Sequence, residues 1–364
     1  MKRFPIKILF NVWADTNNTN AQSLNARDIA LRLNPERFES SMFLAREPDK
    51  RLLSHKGIHL IHLPARFGSV VMVSHLIWGR YDILFYSPYI KCAEWYRFLR
   101  TMGKRKKLIL PVEGPLQSSR DENPKAFLTF RRILAQSHVI VPISESLREF
   151  VEESTGFKAS ICIPVGVDTR FFTPCDRNGS KNIRVLFVGR LIQRKGPDLV
   201  LEAARIFQNV EFSLVGTTYG REDGLFASEL KRRTSEEGLA NVRFLGKLSQ
   251  GQVRDLMHRS DILLLPSRIE GIPKVTLEAA ATGLPCIVFD GYHTPSVVNG
   301  VTGFQVKTFQ EMLRRLGDLI KNREQRLGMG IAGTQHAKKF DWEIIVKQWE
   351  RVFEETVGKR ARVV

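Results

Sequence analysis

The sequence predicts an α/β protein of two domains, each built on its own parallel sheet. Three observations point there. At 364 residues the chain is long enough that two hydrophobic cores are favoured over one. Short apolar runs alternate with longer amphipathic stretches from end to end, the pattern of βα units feeding parallel strands. That series breaks at residues 172–181, where Thr173-Pro174 and a polar stretch supply turn-forming residues, and then begins again.

In the first half, strands are expected at residues 6–12, 41–45, 59–63, 82–86, 107–112, 138–143 and 160–163. Helices are expected between them at 22–33, 93–102, 124–135 and 145–153. The basic start before an apolar run could pass for a secretory signal, but Lys7 and Asn11 interrupt it, and it reads as a first buried strand. The run nearest to a membrane span, around residues 76–86, is broken by Arg80 and Asp82, so any membrane contact is expected to be peripheral. In the second half the strands are expected at 183–188, 211–215, 242–245, 261–266 and 285–289. A last helix, at 342–356, follows Lys338-Lys339 and is expected to return to the first domain. The division is therefore placed at 1–172, completed by 342–364, and 173–341.

Composition narrows the functional classes. Apolar residues at 43% and charged residues at 26% are near the averages for folded soluble proteins, which excludes global disorder. Fifty-six Lys and Arg against 38 Asp and Glu leave +18, a field that attracts phosphates, anionic lipid or nucleic acid. Cys92, Cys162, Cys175 and Cys286 lie far apart with no CxxC pair, which suggests neither a disulfide framework nor a zinc site and fits a reducing cytoplasm. No HExxH, Gly-x-Ser-x-Gly or Walker A arrangement is present.

Two segments carry chemistry. The first expected strand of the second domain runs into Gly189-Arg190-Leu191-Ile192-Gln193-Arg194-Lys195-Gly196 and then a helix. Glycine permits a tight turn, the helix start offers free amides, and three cations suit a diphosphate. A solvated basic loop would look the same. The second segment runs from Glu270-Gly271-Ile272-Pro273-Lys274-Val275 to Glu278, after the strand at 261–266. Glu270 is expected in a loop at a strand's carboxyl end, where open α/β sheets bind ligands, and Glu278 about one turn inside the next helix. Paired carboxylates suit vicinal hydroxyls, each accepting two or more hydrogen bonds. Ordinary helix charges are the alternative.

As one ordered set, Gly189-Arg190-Leu191, Arg194-Lys195-Gly196, and Glu270 with Glu278 eight residues on resemble the donor site of glycosyltransferase family 4. Ile163-Pro164-Val165-Gly166-Val167-Asp168 and Asn299-Gly300-Val301-Thr302-Gly303-Phe304 extend the resemblance on both sides. It implies the GT-B fold, two facing Rossmann-like domains with an interdomain cleft, and a retaining transfer from a nucleotide-diphosphate sugar without metal or other cofactor. Arg190 and Lys195 would hold the diphosphate, with Arg194 assisting and Gly189 also part of the donor-binding loop. Glu270 would bind hydroxyls of the transferred sugar, with Gly271, Ile272, Pro273, Lys274 and Val275 near diphosphate and sugar. Glu278 would bind the ribose, while Gly216, Arg243, Leu245, Lys247 and Leu248 would line the base pocket.

The chain departs from that pattern in three places. The loop after the first strand has no glycine pair and instead carries Asn18 and Asn20, which could bond an acceptor. Glu113-Gly114 stands where relatives often carry a histidine, and Ser296 where a glutamate is expected. The basic, aromatic stretch from Trp78 to Lys107, with Tyr81, Tyr86, Trp95, Tyr96 and Phe98, suggests contact with anionic headgroups on the inner face of a membrane and an acceptor that is a cell-envelope glycan or glycolipid. An epimerase or phosphorylase of the same fold is the alternative enzyme. A nucleic-acid binder would use the charge, but no helix-turn-helix, RRM or zinc-finger pattern accompanies it. Oligomeric state is not encoded in any pattern found.

Overall fold

β1 (Ile6–Trp13) buries Ile8, Leu9 and Phe10 completely, as expected of a strand with neighbours on both edges and helices on both faces. The computed structural model describes residues 5–16, 21–85, 106–114, 124–176, 182–218 and 220–358. It separates into two units, Met1–Val165 with Trp342–Val364, and Gly166–Asp341. The first boundary falls before residue 172 for a local reason: the Val167 amide donates to the Phe340 carbonyl at 2.8 Å and the Thr169 amide to the Asp341 carboxylate at 3.3 Å, tying this stretch to the second unit.

In the first unit β1 is joined by β2 (Phe38–Leu44), β3 (Ile58–His62), β4 (Ile83–Phe85), β5 (Lys107–Val112) and β6 (Val139–Pro142). All pair in parallel, in the order β3-β2-β1-β4-β5-β6. The helix Trp342–Gly358 completes this unit from the far end of the chain. Its Trp342, Ile345, Val346, Trp349, Val352 and Phe353 recur at helical spacing and are all buried. Phe353 sits 6.0 Å from both Phe38 and Phe85 and 6.4 Å from Phe10, in edge-on contacts that stabilise beyond buried area.

The second unit repeats the plan with β7 (Arg184–Val188), β8 (Glu211–Val215), β9 (Val242–Gly246), β10 (Ile262–Leu265), β11 (Cys286–Phe289) and β12 (Gly303–Val306), in the order β12-β11-β10-β7-β8-β9. All of these pairs are parallel. Each unit is thus a Rossmann-like doubly wound sheet with strand order 3-2-1-4-5-6.

Some expectations change. Residues 160–163 form no strand; the Ser160 amide meets the Ile140 carbonyl at 3.1 Å and the Ile163 amide the Pro142 carbonyl at 3.0 Å, after which Pro164 lacks an amide to continue. The apolar run around 76–86 divides into the helix Gly68–Trp78 and β4. β12 was not marked by patterning, and Asn299–Phe304 proves to be the turn that starts it, with Gly300 at φ 76° and its amide bonded to Gly303 at 2.8 Å. The helix expected at 93–102, with Tyr86, Cys92, Trp95, Tyr96 and Phe98, lies outside the described residues. No helix among the described residues is long and apolar enough to cross a membrane.

Candidate active site

In a sheet of this order the helices switch faces between the first and fourth strands, and ligands bind beyond the strand carboxyl ends there. In the second unit these strands are β7 and β10. The loop after β7 holds Gly189, Arg190, Arg194 and Lys195; the loop after β10 holds Glu270 to Pro273.

Sequence dictates how closely these loops meet. β7 passes through Gly189, whose amide donates to Val215 at 3.0 Å, into the short 3-10 turn Gln193–Lys195. Gly196 follows at φ 72°, and a Cβ there would lie 2.1 Å from the Pro266 carbonyl oxygen at the end of β10. Only glycine admits that approach. Pro197 then opens the helix Pro197–Ile206, its fixed φ suited to the first helical position. Arg268 locks the loops together: its amide donates to Arg194 at 2.8 Å, and its guanidinium spans both Asp198 oxygens at 2.7 and 3.2 Å.

Lys195 Nζ donates to Glu270 Oε1. Arg194 donates to the Ile269 carbonyl at 2.7 Å and lies 3.7 Å from the other Glu270 oxygen. The Glu270 side chain is 9% exposed and that of Lys195 18%, so the pair is largely enclosed but still reaches solvent. Burial holds the Lys195 ammonium below the usual lysine range; Glu270 opposes that shift, and Arg194 and Arg190 add to it. Arg190 pairs with Asp223, in the first turn of the helix Arg221–Glu236.

The helix Lys274–Ala281 begins after Pro273, with Gly271, Ile272 and Pro273 buried and Lys274 and Val275 half-buried. Glu278 is 9% exposed, enclosed rather than on a solvated helix face. The carboxyl ends of β7, β8 and β9 are drawn together through glycines: Gly216 donates to Gly246 at 2.9 Å and presses on the Gly189 carbonyl. Beyond Gly216, Arg243, Leu245 and Lys247 are exposed on the edge strand β9 and just after it, with Leu248 half-buried. Glu113 and Gly114 stand at the carboxyl end of β5 in the other unit, while Asn18 and Asn20 lie outside the described residues.

Two residues, Asp223 and Tyr292, and the contacts of a third, Ser296, had no sequence signal. Asp223 holds Arg190. Tyr292 is 5% exposed, and burial, reinforced by the Glu270 charge, pushes its hydroxyl well above the ordinary phenol range. Ser296, where a glutamate was expected, is 1% exposed; its hydroxyl lies 2.5 Å from Thr276 and 2.8 Å from Thr294. It ties the helix carrying Glu278 to the loop after β11. Ser296→Glu is therefore expected to lower the melting temperature, because a carboxylate would enter a dry hydroxyl cluster. An unchanged melting curve would show that the cluster has room for the longer side chain.

Residues 176–336 match the family model described as glycosyl transferases group 1. That stretch is similar to the group 1 glycosyl transferases. It takes in both switch-point loops, Glu278 and Ser296. An uncharacterized glycosyltransferase of Methanocaldococcus jannaschii is 27% identical over 236 residues, 62% of each chain. A D-inositol 3-phosphate glycosyltransferase of Corynebacterium jeikeium is 28% identical over 258 residues, 62% of this chain and 60% of that protein. A GDP-mannose-dependent monoacylated phosphatidylinositol monomannoside mannosyltransferase of Corynebacterium glutamicum is 27% identical over 61% of this chain and 63% of its own. The match thus spans less than two thirds of these relatives' length. Among solved structures, sucrose-phosphate synthase from Thermosynechococcus elongatus superposes with a TM-score of 0.83 at 17% identity, over 98% of this chain and 100% of its own. An Anabaena protein solved in complex with UDP-glucose gives 0.79 at 18%, over 96% and 100%. The chain has the GT-B fold.

Proposed function

We propose that this protein is a retaining, metal-independent glycosyltransferase that moves a hexose or related sugar from a nucleotide-diphosphate sugar to a cell-envelope glycan or glycolipid. The observation that carries the proposal is the Lys195–Glu270 pair, brought from the two switch-point strands of a domain similar to the group 1 transferases into one enclosed position with Arg194 beside it. As the glycosidic bond breaks, negative charge grows on the leaving phosphate, and cations fixed beside it bind the transition state more tightly than the ground state. Lys195 and Arg190 fill that role once the donor displaces their carboxylate partners. Glu270 is then released to accept hydroxyls of the sugar, and Glu278 to accept those of the ribose. Relatives named for D-inositol 3-phosphate and for a phosphatidylinositol mannoside support a phosphate-bearing acceptor, which the +18 charge would attract.

Thermal-shift screening against uridine, guanosine and adenosine diphosphate sugars tests the donor step, since a ligand that binds only the folded state raises its melting temperature. One base class is expected to stabilise the chain and then to support transfer with retained anomeric configuration in the presence of EDTA. Indifference to every sugar nucleotide would remove the proposal, and loss of transfer on chelation would remove its metal-independent clause.

A further inference from the structure

A cavity of about 780 Å³ opens in the first unit, away from the strand carboxyl ends. It lies where Lys107 begins β5 and Val139 begins β6, the amino ends of two parallel strands, and the helix Trp342–Gly358 forms its opposite wall. Ligands of doubly wound sheets gather at carboxyl ends, so this is a separate place from any site built on the switch-point loops.

Its lining has a consistent chemistry. Lys347 and Arg351, one helical turn apart, face the cavity with Lys107, and Glu355 is the only carboxylate among the described lining residues. Among the described residues, the side chains of Lys107, Lys347 and Arg351 take part in no ion pair or hydrogen bond. Elsewhere in the protein arginines are routinely committed, as Arg232 is to Glu229 and Glu236 and Arg37 to Glu350 and Glu354. The floor is apolar, with Ile161 37% and Ile344 47% exposed. Cations around a concave, partly apolar wall focus their field, and the volume is that of a small-molecule site.

We infer that this cavity binds a phosphate-bearing ligand with an apolar portion, the phosphate held by Lys107, Lys347 and Arg351 and the rest lying on Ile161 and Ile344. The phosphate can belong to a soluble ester or to a lipid headgroup, and the same variants distinguish the two sources. Lys347 and Arg351 are exposed helix positions, so Lys347→Ala/Arg351→Ala is expected to fold normally, as judged by circular dichroism.

Inorganic pyrophosphate is titrated calorimetrically into the full chain carrying Lys195→Ala and Arg190→Ala, which removes the donor-loop cations. The expected result is a single binding event that weakens at least about tenfold on adding Lys347→Ala/Arg351→Ala and tightens on adding Glu355→Gln instead. Sedimentation with vesicles of equal parts phosphatidylglycerol and phosphatidylcholine forms the second arm. Pyrophosphate binding without vesicle binding assigns a soluble ligand; vesicle binding that the double substitution abolishes assigns a headgroup. Binding in both arms that is indifferent to Lys347, Arg351 and Glu355, or binding in neither, overturns the inference.

Discussion

Lys195→Ala is expected to reduce turnover by about a hundredfold or more while the chain still folds. Removing one preorganised donor from a charge-stabilising site typically costs on the order of 10²–10³ in rate. The size follows from position: Lys195 is fixed by the 3-10 turn before Gly196, and its ammonium reaches Glu270 from across the switch point. Truncation leaves Glu270 enclosed, with Arg194 3.7 Å away as its remaining ion-pair partner among the described residues, so some stability is lost as well. The two losses are separable. Glu270→Ala added to Lys195→Ala removes the buried charge and is expected to recover part of the melting temperature without recovering turnover. Initial rates at saturating donor decide the matter; near-wild-type turnover in Lys195→Ala would take the residue out of the reaction.

The parts of this protein that were readable in advance are those encoded by local spacing. Gly189 to Gly196 and Glu270 to Glu278 each sit within one strand–turn–helix unit, so the residue order already says which side chains leave a strand's carboxyl end. The final helix was readable because Trp342, Ile345, Val346 and Trp349 repeat at helical period. In the structure the helix is held by burial of its aromatic rings, with Trp349 5.1 Å from Phe85 and Phe353 6.0 Å from Phe38 and from Phe85.

What could not be read depends on strand order. Residues 195 and 270 meet because β7 pairs with β10, skipping β8 and β9, and the Arg190–Asp223 pair and the Thr276–Ser296 contact each join a loop to a helix elsewhere in the sequence. No spacing along the chain encodes those contacts. Ser296 shows the hazard of reading a position singly: it looked like a lost charge, whereas the threonines at 276 and 294 make it one member of a buried hydroxyl group. β12 was missed because its four residues start on a glycine directly after a turn, too short for a period-two pattern to emerge.

Gly216→Ala is expected to be the most damaging single-methyl addition near the donor loops. The residue sits at φ 150°, and a Cβ there would lie 1.7 Å from the Gly189 carbonyl oxygen and 2.8 Å from its carbon. Both are backbone atoms at the end of β7, so no side chain can swing aside. Moving Gly216 instead would stretch its bond to Gly246 and part the strand ends from which Arg190 projects. Backbone strain together with a forced shift places the cost at about 3–5 kcal/mol, among the larger single-residue effects. For a domain of this size that lowers the melting temperature by roughly 6–20 °C, and donor binding should weaken along with it. Gly224→Ala is the matched control: it lies inside the helix Arg221–Glu236 with nothing within 4 Å of the added methyl, and alanine there should stabilise by up to about 1 kcal/mol. Equal melting temperatures for the two variants would mean that the β7 and β8 ends can separate freely, and that the close approach of Gly189 and Gly216 does not hold Arg190 in place.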